Sequence, residues 1–116
     1  MSAPDPALFA DEWIDAWNRH DLDAILSHYA DDIVFLSPAA ARIAGTGRVV
    51  GKPALRDYWT KALARIPDLA FELETVYAGA DAVTISYVGV GGRKVAEAFE
   101  FGEDGRVVRA IACYGV

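Results

Sequence analysis

Residues 93–101 alternate in a way that isolates one carboxylate. Written as a strand, they put Val95, Glu97, Phe99 and Phe101 on one side and Lys94, Ala96, Ala98 and Glu100 on the other. Glu97 thus interrupts an apolar face. Taking a carboxylate out of water disfavours its charged form, so Glu97 is expected to have a raised pKa and to serve as acid or base near neutrality. The competing reading is a structural glutamate satisfied by Ser86, Tyr114 or the indole N–H of Trp13. Ser37, directly before Pro38, is the second catalytic candidate; its hydroxyl can reach a ligand from a strand end, although no histidine stands in register to activate it. His20 and His28 lack a third histidine and any HxH or HExxH spacing, so no metal site is expected. His20 reads as solvated in a turn, and His28 as a half-exposed surface residue. Cys113 is the only cysteine; it cannot form an intrachain disulfide and reads as a packed thiol.

Hairpin registers give Glu97 its expected neighbours. A two-residue turn at Asp104-Gly105 pairs Glu103 with Arg106, Phe101 with Val108, Phe99 with Ala110, Glu97 with Ala112 and Val95 with Tyr114. The same exercise through Gly91-Gly92 pairs Val90 with Arg93, Val88 with Val95, Ser86 with Glu97 and Thr84 with Phe99. Short side chains then surround Glu97 and leave room, while Tyr114 and aromatics from the helices bound it. A space of that kind is the usual anatomy of a small-molecule site. Its predicted walls are Trp13, Trp17, Phe35, Tyr58, Trp59, Ser86, Phe99, Ala112 and Tyr114. The same registers put Ile85, Tyr87, Ile111 and Cys113 on the opposite sheet face, where they predict a homodimer interface.

The elements that must position these residues are legible from local signals. Asp5-Pro6 reads as an N-cap with proline in the first turn, and Phe9, Trp13, Ala16 and Trp17 follow at helical spacing, predicting a helix near 6–18. Asp21 caps a second, short helix with Leu22, Ile25, Leu26 and Tyr29 as its apolar stripe, closed by Ala30, Asp31 and Asp32. Residues 33–36 predict a short strand, and residues 39–50 a long loop able to act as a flap. Pro53 starts a third helix with Leu55, Tyr58, Trp59, Ala62, Leu63 and Ile66 on its apolar face, and Pro67 ends it. Strands are expected near 70–77, 82–90, 93–101 and 106–114. Helices first and an antiparallel meander later predict an α+β fold, with helices on one face of a curved sheet.

Composition narrows the function classes. At 116 residues, 53% hydrophobic and 24% charged, the chain is expected to fold as one domain over 1–116 rather than remain disordered. A net charge of −6 with no local Lys/Arg cluster opposes binding to nucleic acid or anionic membranes. No apolar run approaches the ~20 residues of a membrane span. The opening Met1 to Pro6 has no basic n-region, which predicts a cytoplasmic protein.

Several runs in this order resemble the nuclear transport factor 2-like superfamily: Trp17-Asn18-Arg19-His20-Asp21-Leu22-Asp23-Ala24-Ile25, then Tyr29-Ala30-Asp31-Asp32 and Ser37-Pro38. Gly51 with Ala54-Leu55-Arg56-Asp57-Tyr58-Trp59, and Asp104-Gly105-Arg106-Val107-Val108, continue the match over nearly the whole chain. The resemblance implies a cone of three N-terminal helices on a strongly bent, mostly antiparallel sheet, commonly a homodimer through the outer sheet face. Within the superfamily the chain is similar to ketosteroid isomerases and SnoaL-like polyketide cyclases, which handle hydrophobic carbonyl compounds without a cofactor. The isomerases hydrogen-bond the developing oxyanion with an acid at the position of Glu97. Ser37 stands where they carry a basic aspartate before a proline, and Trp13 where they carry a tyrosine. The resemblance therefore implies proton transfer by Glu97 itself, with Ser37 and Trp13 as orienting donors, in an isomerase, cyclase or dehydratase acting on a small hydrophobic molecule. A non-catalytic ligand-binding or dimerisation domain on the same fold is the alternative.

Overall fold

A computed structural model describes residues 3–116; Met1 and Ser2, part of the N-terminal segment considered above, lie outside the described residues. The elements run α1 (Pro6–Asn18), α2 (Leu22–Leu26), β1 (Tyr29–Leu36), α3 (Pro38–Ile43), β2 (Arg48–Val50), α4 (Lys52–Arg65), β3 (Glu72–Gly79), β4 (Ala82–Val88), β5 (Lys94–Phe101) and β6 (Val107–Tyr114). The six strands form one sheet in the order β2-β1-β6-β5-β4-β3, antiparallel except where β1 runs parallel to β6. The helices bury their apolar sides on one face, so the α+β architecture expected from the sequence is the one found.

Local chemistry explains the helix ends. The Asp5 carboxylate accepts from the Leu8 amide at 3.0 Å, and Asp21 caps α2 through the Ala24 amide at 3.1 Å. α2 is shorter than its apolar stripe predicts. The Ser27 hydroxyl donates to the Ala24 carbonyl at 2.6 Å as the helix closes, and the chain turns into β1 with Tyr29 already paired to Val107. Tyr29 is thus a strand residue rather than the end of a helical stripe.

The long loop expected over 39–50 is instead mostly ordered structure. Ser37 caps α3, accepting from the Ala39 amide at 3.2 Å, and Pro38 occupies the first helical turn. The chain then returns as β2, pairing Val50 with Val34 and Val49 with Phe35. A six-residue helix, half of it alanine, is a weak periodic signal, which is why composition alone reads as loop.

Two hairpin registers decide which residues face the helices. Between β5 and β6 the turn is one residue longer than expected, with the Gly102 amide bonded to the Arg106 carbonyl at 2.9 Å and Gly105 at φ 77°. Phe101 therefore pairs with Val107, not Val108, and a bulge restores the predicted pairs Phe99–Ala110, Glu97–Ala112 and Val95–Tyr114. Between β4 and β5 nothing restores it. Gly91 and Gly92 both take positive φ within a 3₁₀ turn, and the Gly89 amide closes the loop on the Arg93 carbonyl at 2.7 Å. The observed pairs are Tyr87–Val95, Ile85–Glu97 and Val83–Phe99. A slip of one residue exchanges the two faces of β4. Val83, Ile85 and Tyr87 are buried toward the helices, and Thr84 and Ser86 lie on the outer face.

Candidate functional site

Glu97 is 3% exposed and sits on β5 with Ala112 of β6 beside it. One carboxylate oxygen, Oε1, accepts from the Tyr87 hydroxyl at 3.0 Å. The other, Oε2, is buried with no hydrogen-bond partner. Burial pushes this carboxyl up to about 7, against the opposing effect of the Tyr87 hydrogen bond. At neutral pH Glu97 therefore holds a proton for a large fraction of the time and can both give and take one. The same burial, with the nearby Glu97 charge adding to it, holds Tyr87 and Tyr29 well above the ordinary phenol range, so both stay protonated donors.

Glu97 lines a cavity of about 270 Å³, close to the lower end of the ~300–1,000 Å³ typical of ligand pockets. Its walls include Trp13 and Trp17 from α1, Phe35 from β1, Tyr58 and Trp59 from α4, and Ala112 and Tyr114 from β6. Each of these was expected from the sequence. They meet because α1 and α4 cross the same sheet face: Trp17 packs edge-on to Trp59 at 5.0 Å, and Phe35 edge-on to Trp59 at 5.5 Å. Ala112 is the short side chain that leaves the space beside Glu97 open.

Two predicted wall residues lie elsewhere. Ser86 points to the outer sheet face because of the one-residue register slip, and it borders a separate shallow depression with Lys94 and Cys113. Phe99 is fully buried beneath the site, against Phe9 at 5.0 Å and Trp13 at 5.2 Å, so it supports the wall without lining it. The slip also removes Ile85 and Tyr87 from the face assigned to dimerisation; Ile111 and Cys113 remain there, with Cys113 exposed rather than packed.

Ser37 does line the cavity and is buried, but its oxygen already caps α3. Its hydroxyl also acts on Tyr58 and Tyr114. Burial first, then the neighbouring Tyr114, raises Tyr58 to about 12, and Ser37 opposes that rise. Tyr114 is raised by burial, again with Ser37 opposing. Ser37 thus groups with the Tyr58 and Tyr114 hydroxyls on the cavity lining. Trp13 is not a free donor, since its indole N–H is given to the Tyr29 hydroxyl at 2.9 Å. The indole with an unfilled N–H is Trp17, whose Nε1 is buried without a partner. Neither histidine joins the site. His20, at φ 54°, places Nε2 2.7 Å from the Leu69 carbonyl, and His28 packs edge-on to Phe9 at 5.3 Å. No three His, Cys, Asp or Glu side chains converge among the described residues.

Sequence reasoning missed Tyr87 and Phe71. Tyr87 was lost with the β4 register. Phe71 precedes β3 and is fixed by Asn18, whose side chain accepts from the Phe71 amide at 2.7 Å and donates to its carbonyl at 3.0 Å. That clamp holds the Phe71 ring stacked on Trp13 at 5.8 Å and tilted on Tyr87 at 4.6 Å. No local signal in the sequence announces a contact between residues so far apart.

Residues 10–110 match the family model of the SnoaL-like domain. The chain belongs to the SnoaL-like family. A SnoaL-like protein of unknown function from Burkholderia thailandensis is 53% identical over 96% of this chain and 95% of its own, with a TM-score of 0.91. More distant structures share the fold. A protein with a ketosteroid isomerase-like fold from Catenulispora acidiphila, in complex with trimethylamine, is 16% identical, covering 98% of this chain and 88% of its own at a TM-score of 0.75. IdmH from Streptomyces antibioticus, provisionally assigned as a polyketide cyclase, is 19% identical, covering 96% of this chain and 92% of its own at a TM-score of 0.75. No curated protein matches the chain. In this SnoaL-like domain no helix among the described residues is long and apolar enough to cross a membrane.

Proposed function

We propose that this SnoaL-like domain is a cofactor-independent acid/base enzyme, an isomerase, cyclase or dehydratase, that moves a proton on a small hydrophobic carbonyl or hydroxyl compound. The observation that carries the reading is Glu97 itself, buried with Oε2 unpartnered, among the residues that line an aromatic-walled cavity. An orphaned carboxylate oxygen costs free energy unless something fills it, and ionisable groups held in that state cluster at working sites. A carboxyl near pKa 7 is also matched to proton transfer at neutral pH.

In the proposed step, Oε2 takes a proton from the carbon next to the substrate carbonyl, and the electron pair moves onto the carbonyl oxygen. The Trp17 N–H, the other buried side-chain polar group without a partner among the described residues, belongs to a lining residue and is the donor proposed for that oxygen. Glu97 then returns the proton to another atom of the substrate, so no net charge is gained. Tyr87 holds the carboxyl in place through Oε1 throughout. The provisional cyclase name of one structural neighbour is compatible with this class of chemistry.

The test is a panel of ketones, epoxides and hydroxy-ketones assayed with wild type and Glu97→Gln. The expected result is turnover that falls at least ~100-fold in the variant. Turnover unchanged by Gln would remove the acid/base role, and thermal shifts without turnover would favour the binding-domain reading. A homodimer is proposed separately, through the outer sheet face that carries Ala96, Ile111 and Cys113. Sedimentation at micromolar concentration checks it, with a monomer as the contrary result.

A further inference from the structure

The mouth of the cavity carries charges that the proton-transfer reading leaves unused. Arg42, in the last turn of α3, and Arg93, just before β5, are exposed side chains that both line the cavity. Apart from Glu97 they are its only charged lining residues among the described residues. They come from different elements, and the charge of each is felt at the wall tyrosines: Arg42 bears on Tyr58 and Tyr114, and Arg93 on Tyr114, in each case favouring the phenolate. Arg93 is held in place, its guanidinium carbon 4.9 Å from the centre of the Tyr114 ring and Nη2 donating to the Gly115 carbonyl at 3.2 Å. Most of its five N–H donors remain open.

Neither arginine has an ion-pair partner among the described residues, although the chain holds 17 acidic residues and a net charge of −6. Arg19, Arg56 and Arg109 find a carboxylate, and Arg48, Arg65 and Arg106 are unpaired as well among the described residues; what sets Arg42 and Arg93 apart is that they line the cavity. A pair of open guanidiniums at the rim of an apolar pocket, on an acidic protein, is a local reversal of charge. Guanidinium donors suit planar, bidentate recognition of carboxylate or phosphate oxygens.

We propose that the pocket selects amphipathic anions: a compact apolar body inserted among the aromatics, with an anionic headgroup left at the mouth between Arg42 and Arg93. This rests on the pocket reading above and narrows its substrate class. The division suits both ends. The headgroup keeps contact with water and pays little desolvation, and the inserted end brings its reacting group to Glu97 and Trp17.

The test is calorimetric titration of 6-hydroxy-2-naphthoate, its methyl ester and 2-naphthyl phosphate. Quenching of Trp13, Trp17 and Trp59, which all line the cavity, reports occupancy in parallel. The expected result is that the carboxylate or the phosphate binds at least tenfold tighter than the ester, that Arg42→Gln/Arg93→Gln removes this preference without weakening the ester, and that 0.5 M NaCl narrows it. The tighter of the two anions identifies the headgroup. An ester equal to both anions, or a preference that survives the double variant with an unchanged melting temperature, overturns the proposal and leaves proton transfer by Glu97 standing. A Glu97→Gln variant with unchanged turnover removes that chemistry and leaves the anion preference standing. Absence of binding by all three probes overturns the proposal and the pocket reading together.

Discussion

Phe99 and Glu97 are two residues apart on one strand, face the same way, and each stands opposite an alanine, yet one is in solid core and the other borders a hollow. At Phe99 the space left by Ala110 is filled from above by Phe9 and Trp13 of α1. At Glu97 the space left by Ala112 is not filled, and the Trp17 N–H and one of the two Glu97 oxygens, Oε2, remain without partners. A β-strand supplies the same alternation at both places. What separates core from pocket is which side chains of α1 lie over the strand: Phe9 and Trp13 pack on Phe99, whereas Trp13 and Trp17 form walls of the hollow that Glu97 borders.

The comparison breaks most visibly at its packed end. Phe99→Ala should cost about 3–5 kcal/mol in denaturant unfolding, the usual range for a fully buried phenylalanine. A cost below ~1 kcal/mol would mean that this end is no better packed than the hollow. Tyr87→Phe acts at the other end. Losing the hydroxyl leaves both Glu97 oxygens unfilled, which should cost about 1–3 kcal/mol and move the Glu97 midpoint upward, since Tyr87 is the group holding it down. An unmoved midpoint in the pH profile would show that the hydrogen bond is not formed in solution.

A finer contrast lies within α1. Trp13→Phe and Trp17→Phe remove the same ring area and the same N–H, but only the first N–H has a partner. Trp13→Phe should be the more destabilising by about 1 kcal/mol, read from paired denaturant melts. Trp17→Phe should instead lower turnover on any substrate found with the ketone panel. Equal melts would place a hidden partner on Trp17.

How far these features were legible in the sequence follows from their range. Glu97 and its Ala112 and Tyr114 neighbours were readable because a bulge absorbed the one-residue error at the Asp104-Gly105 turn. Tyr87 was not readable, since two successive glycines admit several turn lengths and a one-residue difference reverses every side chain of β4. α3 and β2 were hidden in an alanine- and glycine-rich stretch whose order comes from the Ser37 cap and from pairing with β1. The aromatic walls were legible as helix stripes. Which indole would keep a free N–H was not, because that depends on Tyr29 starting a strand beneath Trp13.

Titration of the Glu97 side-chain carboxyl carbon by NMR, alongside unfolding free energies of wild type and Glu97→Gln across pH, reaches the core of the account. With a folded value of about 7 against 4.5 for a free glutamate, the folded state keeps a proton that the unfolded state releases. Wild-type stability relative to the variant should therefore be greatest at and below pH 4.5, fall as pH rises toward 7 by roughly 3 kcal/mol, and level off above. A carboxyl resonance with its midpoint near 4.5, and parallel stability curves for the two proteins, would mean that Glu97 is solvated and not held in a buried site.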